Sequence, residues 1–154
     1  MADLTFDGTD IKEATARTAG GIYLDVVQGF DGFANVRGTD IVIPGRAGRT
    51  PLSRVADQRL IELSGYIHGG PDSDTLVARQ QDYRANVVVF QGLFDPTDAA
   101  KAMIVNTPYL GLPSGSKTIY ARTLNVIWGI VEGGGIFCRV SVMLEAVGNP
   151  PDWV

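Results

Sequence analysis

From Ile136 to Val147 the chain alternates without a break. Ile136, Cys138, Val140, Val142, Leu144 and Ala146 are apolar, and the other parity carries Phe137, Arg139, Ser141, Met143 and Glu145. Successive side chains of a strand point to opposite faces, so this run predicts a long half-buried β-strand. Just upstream, Lys117 to Val131 reads as a second long strand, rich in β-branched and aromatic residues such as Thr118, Ile119, Tyr120, Val126, Ile127, Trp128 and Ile130. Glu132-Gly133-Gly134-Gly135 lies between them and supplies the positive-φ positions that a tight hairpin turn needs. A hairpin of this length constrains the rest of the fold. Its apolar face must be covered by other elements, and a one-residue slip would turn that face to water.

The covering elements are also legible. Gly21 to Gln28 is a strand with Ile22, Leu24 and Val26 on one face, and Leu60 to His68 is another with Ile61, Leu63 and Ile67 inward. Leu4 to Phe6 and Met103 to Val105 are short strands, and Asn35 to Ile43 alternates less cleanly up to the break at Pro44. One helix interrupts the series. Asp72 or Ser73 is expected to cap it. Leu76, Tyr83, Val87, Phe90 and Phe94 then recur as an apolar stripe, and Gly92 is a candidate C′ residue. The run Val87 to Phe90 is β-prone, which predicts an early stop. The expected fold is mainly β (α+β), an antiparallel β-sandwich or split barrel with one amphipathic helix and a long C-terminal hairpin. Residues 1–154 read as a single domain, with no internal repeat and no second domain.

Composition narrows the functional classes. A formal net charge of −4 argues against a nucleic-acid binder, which offsets phosphates with a basic patch. The nearest approach to one is Arg46, Arg49, Arg54 and Arg59, thinly spread and interrupted by Asp57. Charged residues make up 19% of the chain, below the usual ~25%; this suits either a surface that faces another subunit or a β-rich domain with little surface charge. The single cysteine, Cys138, excludes an internal disulfide framework, and its place in the alternation predicts a buried, inert thiol. The N-terminus lacks a basic start and an apolar h-region, and no apolar run reaches the ~20 residues that span a membrane. A soluble chain made in a cytoplasm is expected.

Chemical motifs are nearly absent. His68 is the only imidazole, and beside Gly69-Gly70 it reads as a turn histidine rather than a catalytic base. One His and one Cys do not build a zinc site, and the Asp72-Ser73-Asp74 cluster lacks the Gly and Glu of a calcium loop. The loop Gly45 to Thr50 has neither the lysine nor the following helix of a phosphate cradle. Tyr120, Arg122 and Trp128 are expected to share one strand face. That pattern can stack a sugar or a base, but on a long strand it more often fills a core or a subunit seam. No catalytic residue, metal or cofactor is implied.

Three blocks of sequence resemble the N-terminal ring domain of the distal tail proteins of long-tailed bacteriophages: the opening Phe6-Asp7-Gly8, the IPGRAGR loop (Ile43 to Arg49), and the strand LIELSGYIHG (Leu60 to Gly70) followed at once by a helix. The final long hairpin comes in the matching order. The resemblance implies a structural virion component rather than an enzyme. Its copies would form a hexameric ring, joined sheet to sheet, that links the tail tube to the tail tip or baseplate. The implied partners are further copies of the chain, the tail tube protein, the tape measure protein and the tip proteins. DNA would only pass through the channel, which a mildly acidic chain suits, and no membrane is involved. The loop residues Arg46 and Arg49, with Tyr120, Arg122 and Trp128, become the candidate ring interface. Two alternatives stay open: a tail tube protein stacking many such rings, and a small-ligand-binding β-barrel.

Overall fold

The C-terminal hairpin forms as the alternation predicts. In the computed structural model, which describes residues 2–29, 35–37, 55–106 and 115–147, strand β8 (Ser116–Glu132) folds back onto β9 (Phe137–Ala146). Gly133, Gly134 and Gly135 all take positive φ in the turn. The even-numbered residues of β9, from Cys138 to Ala146, are buried. Around this pair the chain adds β1 (Leu4–Phe6), β2 (Thr9–Asp10), β3 (Gly21–Gln28), β6 (Leu60–His68) and β7 (Lys101–Asn106). They make one antiparallel seven-stranded sheet in the order β2-β1-β7-β8-β9-β6-β3. Two strands not anticipated as a pair, β4 (Asn35–Arg37) and β5 (Val55–Gln58), form a separate antiparallel ribbon. The remainder of the predicted strand up to Ile43 lies outside the described residues, as do Arg46, Arg49 and the rest of the IPGRAGR loop.

The two ends of the sheet meet. Just after β2, Ile11 donates its N–H to the Leu4 carbonyl (3.1 Å), and its own carbonyl accepts from Leu24 of β3 (2.7 Å). Glu13 N–H bonds the Ile22 carbonyl (3.1 Å), and Lys12 bridges to Tyr23. A few residues therefore pair with opposite edges of the sheet and close it into a split barrel. The short helix α1 (Ala16–Ala19) carries the chain from this seam into β3. Gly65 marks a tight point of the wall, because a Cβ there would collide with the Tyr23 carbonyl on the neighbouring strand.

Helix α2 (Leu76–Leu93) lies against the end of β6 and plugs the barrel. Its cap is Thr75, whose hydroxyl accepts from Ala78 N–H at 3.3 Å; the expected caps sit too early. Asp72 instead accepts the Arg79 guanidinium at 2.9 Å. The helix also runs past its predicted stop, with Gly92 inside it and Phe94 as C-cap. Two effects override the β-prone Val87–Phe90 run. Phe90, Leu93 and Phe94 are buried, and the Lys101 ammonium donates to the carbonyls of Gly92 (2.9 Å) and Leu93 (3.0 Å). Phe94 stacks on Phe6 (4.9 Å between centroids) and touches Phe90 (4.8 Å), which joins helix and barrel into one core. Leu76, assigned to the apolar stripe, is 53% exposed because it belongs to the first turn, which overhangs the hairpin tip near Gly134.

Polar ties fix the helix to the strand end. Asn86 donates to the His68 carbonyl (2.9 Å), Asp82 accepts from Gly70 N–H (3.0 Å) and Arg79 donates to the Gly69 carbonyl (3.3 Å). Gly69 has no room for a Cβ, since one there would run into the Arg79 carbonyl and the Tyr83 side chain. Arg59, counted above with the surface arginines, is buried and donates to the Gly29 carbonyl at 2.8 Å. It belongs to the wall, not to a basic patch.

Val142 is fully buried at the centre of the wall. Val142→Asp is expected to abolish folding, since an uncompensated carboxylate there costs about 4 kcal/mol or more; the check is loss of the cooperative circular-dichroism transition. His68 is also buried rather than exposed in a turn. Burial, reinforced by the Arg79 guanidinium and opposed by Asp72, holds its imidazole below the usual 6.5. The unfolded chain takes up this proton near pH 6.5, and the folded chain does so only at lower pH. The stability linked to His68 is therefore complete above about 6.5 and is lost as pH falls through the window below it. Glu13 works in the opposite sense, because burial raises its pKa above the ordinary 4.5. Comparing His68→Gln with wild type isolates the histidine: thermal melts from about pH 7.5 to about pH 5 should show a flatter acid limb in the variant.

Candidate assembly surface

Strand β8 is longer than its neighbour on one side. β7 pairs with it only from Ser116 to Ala121, whereas β9 accompanies it from Ala121 to Glu132. From Arg122 onward the edge of β8 that faces away from β9 has no strand partner among the described residues. An unpaired edge presents a row of backbone donors and acceptors to any other strand. This stretch is also apolar: Leu124, Ile127, Trp128, Ile130 and Val131 are all exposed, Ile130 to 83%. Within this unpaired stretch, charge or proline, which would discourage pairing, is confined to Arg122 and Glu132 at its two ends.

Two bulges shape this edge. The register with β9 shifts between Thr123 and Asn125, and again between Trp128 and Val131. The extra residue, Leu124, reverses the parity of the strand. Before it, Ile119, Ala121 and Thr123 point inward; after it, Val126 stands opposite Val142 and Trp128 opposite Val140. Tyr120, Arg122 and Trp128 thus do not share a face, contrary to the simple alternation. Tyr120 and Arg122 lie on the outer face, where Arg122 makes an ion pair with Glu145 (2.7 and 2.8 Å to one carboxylate oxygen). Trp128 lies on the helix side with its ring edge-on to Phe90 at 5.1 Å, yet is still 42% exposed.

Trp128 stands between two shallow grooves that run along α2. One, of about 210 Å³, is floored by Cys138 and walled by Tyr83, Val87 and Val131; the other, of about 390 Å³, runs past Phe94, Pro96 and Asn125. Burial pushes the Tyr83 hydroxyl up, and the neighbouring Cys138 thiol adds to the shift. The thiol itself is enclosed, with the Gly129 and Arg139 carbonyls as its acceptors at 3.4 and 3.3 Å. Such a floor suits apolar packing rather than chemistry. Among the described residues, no group of three or more His, Cys, Asp or Glu is placed to hold a metal ion. No helix among the described residues is long and apolar enough to cross a membrane. The free edge itself went unseen in the sequence, since it depends on where β7 ends. The bulge did leave a trace, because the inward apolar positions change from odd to even between Ala121 and Val126.

No family model matches the sequence, and no curated protein matches it. Among solved structures, the chain is similar to Dit (gp 19.1) of phage SPP1, described as a paradigm of the hub adsorption apparatus in phages that infect Gram-positive bacteria. The superposition has a TM-score of 0.56 at 16% sequence identity and covers 96% of this chain and 50% of that one. The chain therefore spans about half the length of the SPP1 protein. It has the fold of a phage distal tail protein, in keeping with the resemblance carried by the three sequence blocks.

Proposed function

We propose that this protein is a structural component of a phage virion: a distal tail protein whose copies close a hexameric ring between the tail tube and the tail tip or baseplate. The observation that carries the reading is the fold shared with a phage hub protein along nearly the whole chain. The unpaired, apolar edge of β8 supports it from a separate direction, because a surface of this kind is stable in water only when covered. Pairing that edge with a different surface of the next copy is a heterologous contact, and such contacts form rings when the rotation closes. The role is structural rather than catalytic. Tail tube, tape measure and tip proteins are the further partners, the assembled location is the phage tail, and DNA only passes through the channel. Residues 1–154 act in this reading as one ring-forming tail domain.

Light scattering followed by negative-stain microscopy tests the assembly. Sixfold rings, single or in pairs, are the expected result; long stacked tubes would instead identify a tail tube protein. A chain that stays monomeric alone and with its tail tube partner would overturn the ring. Ile130→Asp should leave the melting temperature nearly unchanged, since exposed substitutions shift stability by only about 0.5 kcal/mol, yet abolish the rings. Arg46→Glu, in the loop proposed to dock a neighbouring copy or ring, should give a folded subunit that no longer completes tails. Normal tail assembly by that variant would remove the loop from the interface.

A further inference from the structure

On the outer face of the barrel, beside the tip of the β8–β9 hairpin, Arg17 of α1 and Arg139 of β9 flank an open cleft of about 610 Å³. Tyr66, Phe137 and His68 line it, and their rings continue a row that starts at Tyr23 outside the cleft. Tyr23 stacks on Tyr66 (5.3 Å), Tyr66 meets Phe137 (5.4 Å), and Phe137 takes the edge of His68 (5.9 Å). Tyr66 and Arg139 are directly paired across β6 and β9, which sets Arg139 beside this floor. Ser64 adds a hydroxyl, and Glu132 sets a carboxylate at the rim.

The two arginines are what the fold leaves unexplained. Both are exposed, and neither makes a side-chain hydrogen bond or ion pair with any described residue. Lys12, Arg79, Lys101 and Arg122 are paired with Asp25, Asp72, Asp98 and Glu145, whereas Arg84 and Lys117, outside the cleft, share with Arg17 and Arg139 the lack of an ion pair to a described residue. In a chain of net charge −4, two unpaired guanidiniums over an aromatic floor are a local reversal of sign. His68 lines the same cleft, with its Nδ1 buried and without a hydrogen-bond partner.

We propose that this cleft is a docking site for an acidic polypeptide segment of a partner protein, with its carboxylates on Arg17 and Arg139 and its apolar side chains on the Tyr66–Phe137 floor. Guanidinium forks match carboxylates in a bidentate geometry, and planar rings accept apolar or aromatic side chains at little cost in entropy. Glu132 selects against a uniform polyanion and favours a segment that also offers a donor. A nucleic-acid backbone is disfavoured for that reason, and because binding one rests on several cations rather than two. The site meets β8 only at its last residue, Glu132, and does not depend on the ring assembly proposed above.

The test is fluorescence anisotropy of a labelled six-residue peptide that alternates glutamate with leucine and ends in a lysine, titrated with the whole chain at low salt. Binding is expected for wild type and for Arg84→Ala, a surface arginine outside the cleft. The Arg17→Ala/Arg139→Ala double variant should bind at least about tenfold more weakly with an unchanged melting temperature, and a hexalysine peptide should not bind. Equal binding by the double variant, or no binding by wild type at millimolar peptide, would overturn the site. Duplex DNA displacing the peptide with comparable affinity would overturn the choice of ligand in favour of phosphate.

Discussion

The barrel depends on a seam only a few residues long. Ile11 bonds β1 through its N–H and β3 through its carbonyl, so one residue joins strands from opposite ends of the sheet order. Without that double pairing β2 and β3 would be free edges, and the inner face would lie open to water. With it, Leu4, Phe6, Ile22, Leu24, Ile61, Leu63 and the even residues of β9 share one enclosed core. The aromatic cluster of Phe6, Phe90 and Phe94 then gives α2 its seat. Each such ring removes 150–250 Å² from water, enough to carry the helix through a sequence whose local preference is β.

What the sequence disclosed and what it concealed divide along physical lines. Long alternating runs fixed their own faces: Leu60–His68 and Ile136–Val147 were readable because one buried face leaves no choice of register. The seam was not readable. Thr9-Asp10 and Ile11–Glu13 are too short to show a period, and their pairing is set by tertiary closure. The ends of the helix were misplaced for a related reason, because Asp72 had a better partner in Arg79 and the C-terminal carbonyls had Lys101. The surface residues followed the same rule. Arg59 looked like one more loop cation until the fold buried it. Tyr120, Arg122 and Trp128 were grouped by a parity that one inserted residue reverses. Arg46 and Arg49 rest on the resemblance alone.

The chain's polar groups serve architecture for the most part. Asp82, Asn86 and Arg79 tie α2 to the Gly69-Gly70 corner, and Cys138 is sealed between carbonyls. Against that background, two surfaces without internal partners among the described residues are opposite in character: an apolar strand edge on β8 and an arginine-flanked cleft beside the hairpin tip. The first calls for another strand, and the second for carboxylates.

The bulge at Leu124 has a consequence for how such a surface can change. It sets the phase of β8 as far as the second bulge, placing Trp128 against Phe90 and Ile127 in the open. Any side chain along the exposed parity can be exchanged while the core stays whole. Removing a single residue at this point would swap the two sets, driving Ile127 inward and stripping the helix of its indole. Along this strand, then, chain length is the rigid quantity and composition the adjustable one, so the outward face is open to drift in chemistry but closed to insertion or loss.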